Sequence, residues 1–411
     1  MINWENVHDK RSFIDEAKDV LPTIEIDSLT NYGASLLNRD RDGFAKRVIF
    51  GGVERGRISS QCIKYAIRQA KSDTDTWYTK TFDVLVGRAI RAKAADASDD
   101  YINHARALTL KLLSAGKDIS CKASTGDADA IADVILSVYD VNAPIVDAEW
   151  GIGDDASDVK KMTRVPEVSA LLKRDMLTRL NSSEVAMFGR MSTSDILRTV
   201  DGAVSMSHAF TTHEYNGDVD TVAAVDELKK FGFGNTGNDR GSSGIWDADI
   251  NAGCFYQYCN ISTMIYALNM LDGMDFNDKA ALKRRFATMA KDVVEFIKLY
   301  LLTAPVAMQT SKASFPGPSV VYIRAGIRPM NHSYENAFAR PVYSNGEQDV
   351  VSLSARRLTD YINNDMFFDN DYEKRYWITD NNYDAPKGAT RDLNLSSVLR
   401  ELEGYINGVC D

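Results

Sequence analysis

The sequence predicts an α+β protein whose sheet is assembled from segments far apart in the chain. Two observations carry this. Strand-like segments stand near both ends. Thr23-Ile24-Glu25-Ile26-Asp27 alternates apolar and polar residues, Val48-Ile49-Phe50 runs into a Gly51-Gly52 turn, and Ser319 to Ile323 is a short apolar run. Between them, residues 76 to about 186 read mainly as helices, with apolar residues at i, i+3 and i+4 in Ala128–Tyr139 and Val168–Leu180. Distant strands closing around a helical stretch make an α+β core.

The remaining elements follow in chain order. Residues 1–20 read as a short amphipathic helix or an appended arm. Ser35 to Phe50 is loop-like and charged. Ser59 or Ser60 is a good N-cap for the helix that follows. Asp147, Glu149, Asp154, Asp155 and Asp158 read as a solvated acidic loop. Residues 201–260 lose periodicity and gain Gly, Asn, Asp and Ser, and the five glycines of 231–244 suggest an excursion from the core. Asp278 is placed to cap one long helix through Thr303, with Leu282, Phe286, Met289, Val293, Ile297 and Tyr300 on one stripe. Two more helices are expected near 353–363 and 395–407.

Charge and composition narrow the function. The 411 residues carry 58 acidic and 48 basic side chains, a net charge of −10. That balance argues against a surface coated by nucleic acid and against attachment to an anionic membrane. With 44% apolar and 26% charged residues the chain is an ordinary globular protein of two or three lobes. No run of about 18 apolar residues is present, and the first 20 residues lack the blocks of a signal peptide, so a cytoplasmic protein is expected. Five scattered cysteines, with no Cys-x-x-Cys, fit free thiols in a reducing compartment, Cys62 and Cys254 as buried small residues.

Three motifs resemble known sites and fail on chemistry. Gly51-x4-Gly56 starts like a phosphate-binding loop, but Arg57-Ile58 stands where Lys and a hydroxyl are needed. Gly232-x-Gly234-x-x-Gly237 matches the dinucleotide fingerprint by letters, yet a helix-like segment precedes it and a loop follows. His208, His213, Asp218 and Asp220 suggest a metal site. The five-residue step between the histidines turns through roughly 500° on a helix and to opposite faces on a strand, so they diverge. Neither a metal nor a cofactor is expected.

One constellation survives. Residues 38–71 hold nine basic side chains (Arg39, Arg41, Lys46, Arg47, Arg55, Arg57, Lys64, Arg68, Lys71) against Asp40, Asp42 and Glu54, a local charge of +6 that leaves −16 elsewhere. In the helix after Ser59, Ile63, Ala66, Ile67 and Ala70 form an apolar face. Gln61, Lys64, Arg68 and Lys71 are spaced to share the opposite one. The helix N-terminus offers free N–H groups to a phosphate, Ser59 and Gln61 add neutral hydrogen bonds, and Arg39 and Arg57 flank it. The competing reading is a plain solvated basic face.

These residues also carry a family resemblance. Leu37-Asn38-Arg39-Asp40, Ile49-Phe50-Gly51-Gly52 and Arg57-Ile58-Ser59-Ser60-Gln61-Cys62-Ile63-Lys64-Tyr65-Ala66-Ile67-Arg68 resemble the N-terminal signature of the type I-E CRISPR Cascade backbone subunit, the CasC family. Further blocks agree in order. They are Gly189-Arg190-Met191-Ser192-Thr193-Ser194, Val200-Asp201-Gly202-Ala203, His208-Ala209-Phe210-Thr211-Thr212-His213, Ala224-Val225-Asp226-Glu227-Leu228, Cys254-Phe255-Tyr256-Gln257-Tyr258, Arg328-Pro329-Met330 and Glu335-Asn336-Ala337-Phe338. The resemblance implies an RRM-like (ferredoxin-like) palm with a helical finger insertion and a β-hairpin thumb. Mapped here, that is an arm at 1–21, palm at 22–75, 187–211 and 251–411, fingers at 76–186 and thumb at 212–250.

The function it implies is a non-catalytic scaffold that polymerises along CRISPR RNA and presents the guide to target DNA. Its implied partners are CRISPR RNA, target DNA, copies of itself, and the capping, large, small and RNA-processing subunits of Cascade. Carried over by motif, Arg39, Arg57, Ser59, Gln61, Lys64 and Arg68 would hold guide phosphates, and Met191 would wedge at a displaced base. Lys160, Lys161, Arg164, Lys173 and Arg174 in the helical insertion are candidates for a path along target DNA. The family leads one to expect an aromatic residue between Asp220 and Ala224. This chain has Thr221-Val222-Ala223, which leaves Val222 as an apolar thumb wedge. The rival reading is an RNA-guided ribonuclease cutting target RNA with Asp218 or Asp220.

Overall fold

The computed structural model describes all residues except 72–74, 115–120, 151–164, 177–181, 193–195, 226, 228–241, 306, 328–330, 367–371 and 409–411. After a 3-10 turn at Trp4–Asn6, the chain runs through α1 (Lys10–Ala17), β1 (Pro22–Ser35), β2 (Arg47–Phe50), β3 (Val53–Ile58) and α2 (Ser60–Ala70). A helical stretch follows, with β4 (Thr76–Thr79), α3 (Asp83–Lys93), α4 (Asp99–Ser114), β5 (Cys121–Ser124), α5 (Thr125–Val138), α6 (Asp147–Trp150), α7 (Val165–Met176) and α8 (Ser183–Phe188). Then come β6 (Val204–Met206), β7 (Ala209–Thr211), β8 (Asp218–Val225), β9 (Ser242–Ser262), α9 (Thr263–Met270), α10 (Lys279–Phe286), α11 (Met289–Leu302) and α12 (Gln309–Lys312). The last elements are β10 (Val320–Ile327), a 3-10 turn at Glu335–Phe338, α13 (Val350–Asn363), β11 (Lys374–Ile378) and α14 (Leu395–Asn407).

The fold is mixed α and β, built on one large antiparallel sheet in the order β11-β10-β1-β9-β7-β3-β2. The 21-residue β9 is its spine. It pairs with β1, β6 and β7 in the core and with β8 at its start, so a long β8–β9 hairpin grows directly out of the sheet. Residues 201–260 therefore hold long strands, although the sequence there shows little periodicity. Their polar residues face solvent on the hairpin and hide the period-two signal. A register shift between Tyr32 and Ser35 of β1 breaks the ladder opposite Gly253. Gly253 has φ 151°, and a Cβ there would lie 2.0 Å from His213 Nε2, so the bend requires glycine.

Helices cover both faces. Alternation along β1 sends Ile24 and Ile26 into an apolar core shared with α1, α2, α9, α11 and α14. Leu29, Tyr256, Tyr322, Phe338, Ala355 and Leu358 form a second core under α13. A third fills the helical lobe, around Phe82, Val86, Ile90, Tyr101, Ile131, Ile135, Val168, Leu172, Ile196 and Leu197.

Several expectations need correcting. The N-terminal segment is no appendage, because Ile2, Trp4, Val7 and Phe13 are buried and the Trp4 ring packs edge-on against Phe286 at 5.3 Å. The helix expected from Asp278 through Thr303 is two helices, broken at Ala287–Thr288, although its apolar stripe is buried as read. The acidic loop begins as helix α6, where Trp150 is buried and stacked on Tyr139 at 3.8 Å. Cys254 and Cys259 are the buried thiols, and Cys62 is half-buried. No helix among the described residues is long and apolar enough to cross a membrane.

The side of the sheet under α13 hides a charged cluster. Arg324 donates to Asp27 at 2.8 Å and lies 3.1 Å from Glu25, with all three side chains at most 1% exposed. Tyr256 donates to Asp27 at 2.6 Å, Tyr258 and Tyr372 donate to Glu25, and the His332 N–H reaches Glu25 at 2.9 Å. Two carboxylates share one guanidinium out of contact with water, so burial outweighs Arg324 and pushes Asp27 up to about 6. A raised carboxyl pKa stabilises the folded state fully below the ordinary 3.8, and that contribution is lost as pH rises through about 6. Asp27→Asn should remove this slope, and urea unfolding at successive pH values across the window checks it.

Candidate nucleic-acid interface

The basic helix α2 is fixed by its N-terminus. The Ser59 N–H donates to Asn38 Oδ1 at 2.9 Å, the Ser60 N–H to His208 Nδ1 at 2.9 Å, and the Cys62 N–H to Ser59 Oγ at 3.3 Å. Blocks separated by up to 148 residues in sequence thus meet at one helix end. The bond from Ser60 makes His208 Nδ1 an acceptor. Burial, then the cations Arg57 and Lys46, lower the His208 pKa and favour that neutral state.

This capping shows what already holds the helix end. The Ser60 and Cys62 N–H groups are satisfied by the protein's own side chains. Ser59 is buried and serves as the cap, which positions the helix.

The side chains of α2 divide as the spacing predicts. Ile63, Ala66 and Ile67 are buried, Gln61 is exposed, and Ala70 is exposed, which takes it off the apolar face. Lys64 and Arg68 are half-buried and not freely solvated. Lys64 Nζ lies 5.9 Å from the centre of the Phe188 ring, and burial lowers its pKa. Arg68 lines a groove with Lys71, Glu184, Phe188, Asp292 and Glu295, and its Nε has no hydrogen-bond partner. Arg39 is exposed, in a bridge with Ala45, and Arg57 is half-buried on β3 with its Nε unpartnered.

Not every charge in 38–71 belongs to a binding face. Arg55 is buried and donates to the carbonyls of Thr211, Thr212 and Phe338, each at 2.9 Å. It ties β3 to the 3-10 turn at 335–338. Arg47 lies 3.6 Å from both Glu54 and Asp249 and over the Tyr215 ring. The Gly51-Gly52 pair is a hairpin turn with φ 62° and 86°, and Gly56 lies within β3. The phosphate-loop resemblance is one of letters.

Beyond α8 the chain makes a clamped turn. Gly189 has φ 75°, and a Cβ there would lie 2.7 Å from Gly202 N, so this crossing needs glycine. Arg190 is buried, paired with Asp127 of α5 at 2.7 Å and bonded to Arg198 O at 3.0 Å. Met191, next to it, is 85% exposed. Core filler is therefore excluded for Met191, since a rigid buried arginine presents it to solvent.

The hairpin supplies what the sequence reading missed. Val222 is half-buried, and its cross-strand partner is Trp246, 51% exposed. Directly opposed residues share a face, so the aromatic absent from 221–223 sits on the facing strand. The alternation Trp246-Asp247-Ala248-Asp249-Ile250-Asn251 is the signal that could have shown it. Asp220 is ion-paired with Lys312 and Asp218 is exposed. Among the described residues no three His, Cys, Asp or Glu side chains gather as a metal site. His213 is turned to the Glu214 carbonyl at 2.7 Å.

Lys173 and Arg174 fall in α7, whereas Lys160, Lys161 and Arg164, the Gly232–Gly237 fingerprint and Arg328-Pro329-Met330 lie outside the described residues.

The pair Arg190–Asp127 joins the helical lobe to the sheet. Arg190→Ala would strand a buried carboxylate and should cost about 3–5 kcal/mol. The double variant Arg190→Ala/Asp127→Ala should cost less than the sum of the singles, which a urea-unfolding double-mutant cycle measures.

Comparison with known proteins gives three findings. Residues 24–404 match the CT1975-like protein family. A chain from a structure described as "CRISPR RNA-guided surveillance complex, pre-nicking" superposes with a TM-score of 0.65 at 21% identity, covering 93% of this chain and 100% of that one. A chain of a "CRISPR RNA-guided surveillance complex" gives a TM-score of 0.52 at 19% identity, covering 93% and 99%. At these identities the likeness is one of fold. No curated protein matches significantly.

Proposed function

The chain belongs to the CT1975-like protein family, and from that premise we propose that it is a non-catalytic RNA-binding scaffold of a Cascade surveillance complex. It polymerises along CRISPR RNA and presents the guide for pairing with target DNA, in the type I-E manner that the sequence blocks resemble. The observation that carries this reading is the exposed Met191, held by buried Arg190 three residues beyond the ring that Lys64 faces. An apolar wedge beside a basic helix suits a strand whose backbone is gripped and whose bases are interrupted. The shared fold with chains of RNA-guided complexes supports it.

The palm of this proposal is RRM-like. The order β10-β1-β9-β7, with α2 between β1 and β7 and α9–α11 between β9 and β10, is the arrangement expected of a split βαβ sheet. Residues 76–186 are its fingers and the β8–β9 hairpin its thumb, with Val222 and Trp246 as one apolar face. Arg39, Arg57, Gln61, Lys64 and Arg68 hold guide phosphates. Lys173 and Arg174 remain candidates for target DNA. Its other partners are further copies of itself and the capping, large, small and RNA-processing subunits. The ion pair of Asp220 with Lys312 disfavours that aspartate as a cutting residue.

The test is co-expression with the other subunits and a CRISPR array. Wild type should purify with one RNA of discrete length, protected from nuclease in a regular ladder. Lys64→Ala/Arg68→Ala should remain folded and lose that RNA, and retention of the full protected guide would sink the assignment. Met191→Ala should keep the RNA and blur the ladder's spacing. Regular cuts in complementary RNA with magnesium, abolished by Asp218→Ala, would favour the nuclease reading instead.

A further inference from the structure

Strand β5 carries Lys122 to the seam between the helical lobe and the sheet. Its Nζ donates to the carbonyl oxygens of Glu184 and Gly189, each at 3.3 Å, and lies 5.0 Å from the centre of the Phe188 ring. Lys64 Nζ lies 5.9 Å from the same ring. Two ammonium groups from elements far apart in sequence thus converge on one aromatic side chain, three residues before the exposed Met191. Among the described residues neither forms a salt bridge with a carboxylate.

The surrounding charges are mostly positive. Lys64 and Arg68 face Lys122 from α2, and Arg190 faces it from the turn after α8. The acids on this side are Glu184 of α8, with Asp292 and Glu295 of α11 along the groove that Arg68 and Phe188 line. Asp127 of α5 is taken by Arg190, and Asp75 before β4 accepts from the Thr76 and Ser182 hydroxyls. Withdrawing several cations from water with few acids paired to them is unfavourable. An anion delivered by a ligand is the complement such a seam lacks, and ammonium groups are good point-charge partners for phosphate.

We infer that Lys122 is a phosphate-contacting residue: with Lys64 it holds one backbone phosphate of the bound RNA beside Phe188, where the strand passes from the basic face of α2 to Met191. This rests on the RNA-binding reading above. Lys122 is also the residue through which binding senses pH. Burial first, then Arg68, holds its pKa down to about 7, so the free protein carries it partly neutral near neutrality. A phosphate favours the charged form, so binding takes up a proton from solvent, and affinity falls as pH rises above about 7.

The experiment measures binding of the full chain to a mixed-sequence single-stranded RNA by fluorescence anisotropy, across pH and salt. Wild-type affinity should weaken above neutrality, by at most about tenfold per pH unit for one proton. Lys122→Met should weaken binding about tenfold near neutrality and flatten the pH profile. It should also reduce the salt slope by about 0.7, the value for one phosphate contact on a single strand. Lys122→Arg should keep the affinity and lose the pH dependence. Without RNA, Lys122→Met should melt no lower than wild type, because it removes a poorly solvated cation. A lower melting temperature with an unchanged pH profile would make Lys122 a structural residue and overturn the proposal. If Lys64→Ala/Arg68→Ala weakens binding and Lys122→Met does not, the contact at Lys122 is wrong while the RNA-binding reading stands. If wild type binds no RNA, both fall.

Discussion

Two carboxylates buried against one guanidinium set the condition that the rest of the fold satisfies. Glu25 and Asp27 on β1 and Arg324 on β10 lie in the middle of the sheet, where water cannot compensate them. Such a group needs most of its remaining hydrogen bonds filled, and among the described residues only Arg324 Nε of this cluster goes without a partner. The filling comes from all sides. Tyr256 and Tyr258 donate from β9, Tyr372 from the segment before β11, and the His332 backbone from the loop after β10. Arg324 also lies 4.5 Å from the Tyr334 ring centre. The cluster therefore orders the chain between β10 and α13 and leaves the opposite sheet face mainly apolar for α2, α9 and α11.

That division explains how an acidic protein can present a basic helix. With its apolar side packed beneath the sheet, α2 has one orientation. Its N-terminus is pinned by Asn38, Ser59 and His208. Lys64 and Arg68 then meet Phe188 of α8 and, from the helical lobe, Lys122, and Arg190 fixes that lobe through Asp127. The local excess of cations is smaller than the sequence count of 38–71 implies, because Arg47 and Arg55 are spent on internal contacts. It is enlarged by Lys122, which the count omitted.

What the sequence revealed and what it hid follow physical lines. The α2 register was legible because a helix repeats every 3.6 residues, so Ile63, Ala66 and Ile67 sort from Lys64 and Arg68 without tertiary information. The alternation of β1 was legible for the same reason. The hairpin strands were hard to read because both of their faces are largely wet, so only the short alternation from Trp246 to Asn251 marks them. Trp246 was missed with them. Arg55 counted with the basic segment, since its partners are backbone carbonyls of residues far away in sequence. The N-terminal segment read as an arm because Trp4 and Phe13 bury against Phe286, a contact that local sequence does not encode. Lys122 carried no signal, as its setting exists only where the two lobes meet.

Gly253 stands where β9 leaves the regular ladder with β1 and runs out into the hairpin, which makes the hairpin a lever arm. From Gly253 back to Ser242 the strand runs unbroken in pairing range of β8 for most of its length, about 36 Å at the usual rise per residue. A rotation of about 5° at that pivot would carry the far end about 3 Å sideways, nearly the spacing of stacked bases, by the strand geometry alone. The His213 imidazole fills the space a side chain at 253 would need, so the pivot angle is set by a ring packed against bare backbone. Small substitutions at this distant point would be read out, amplified, at Trp246 and beyond.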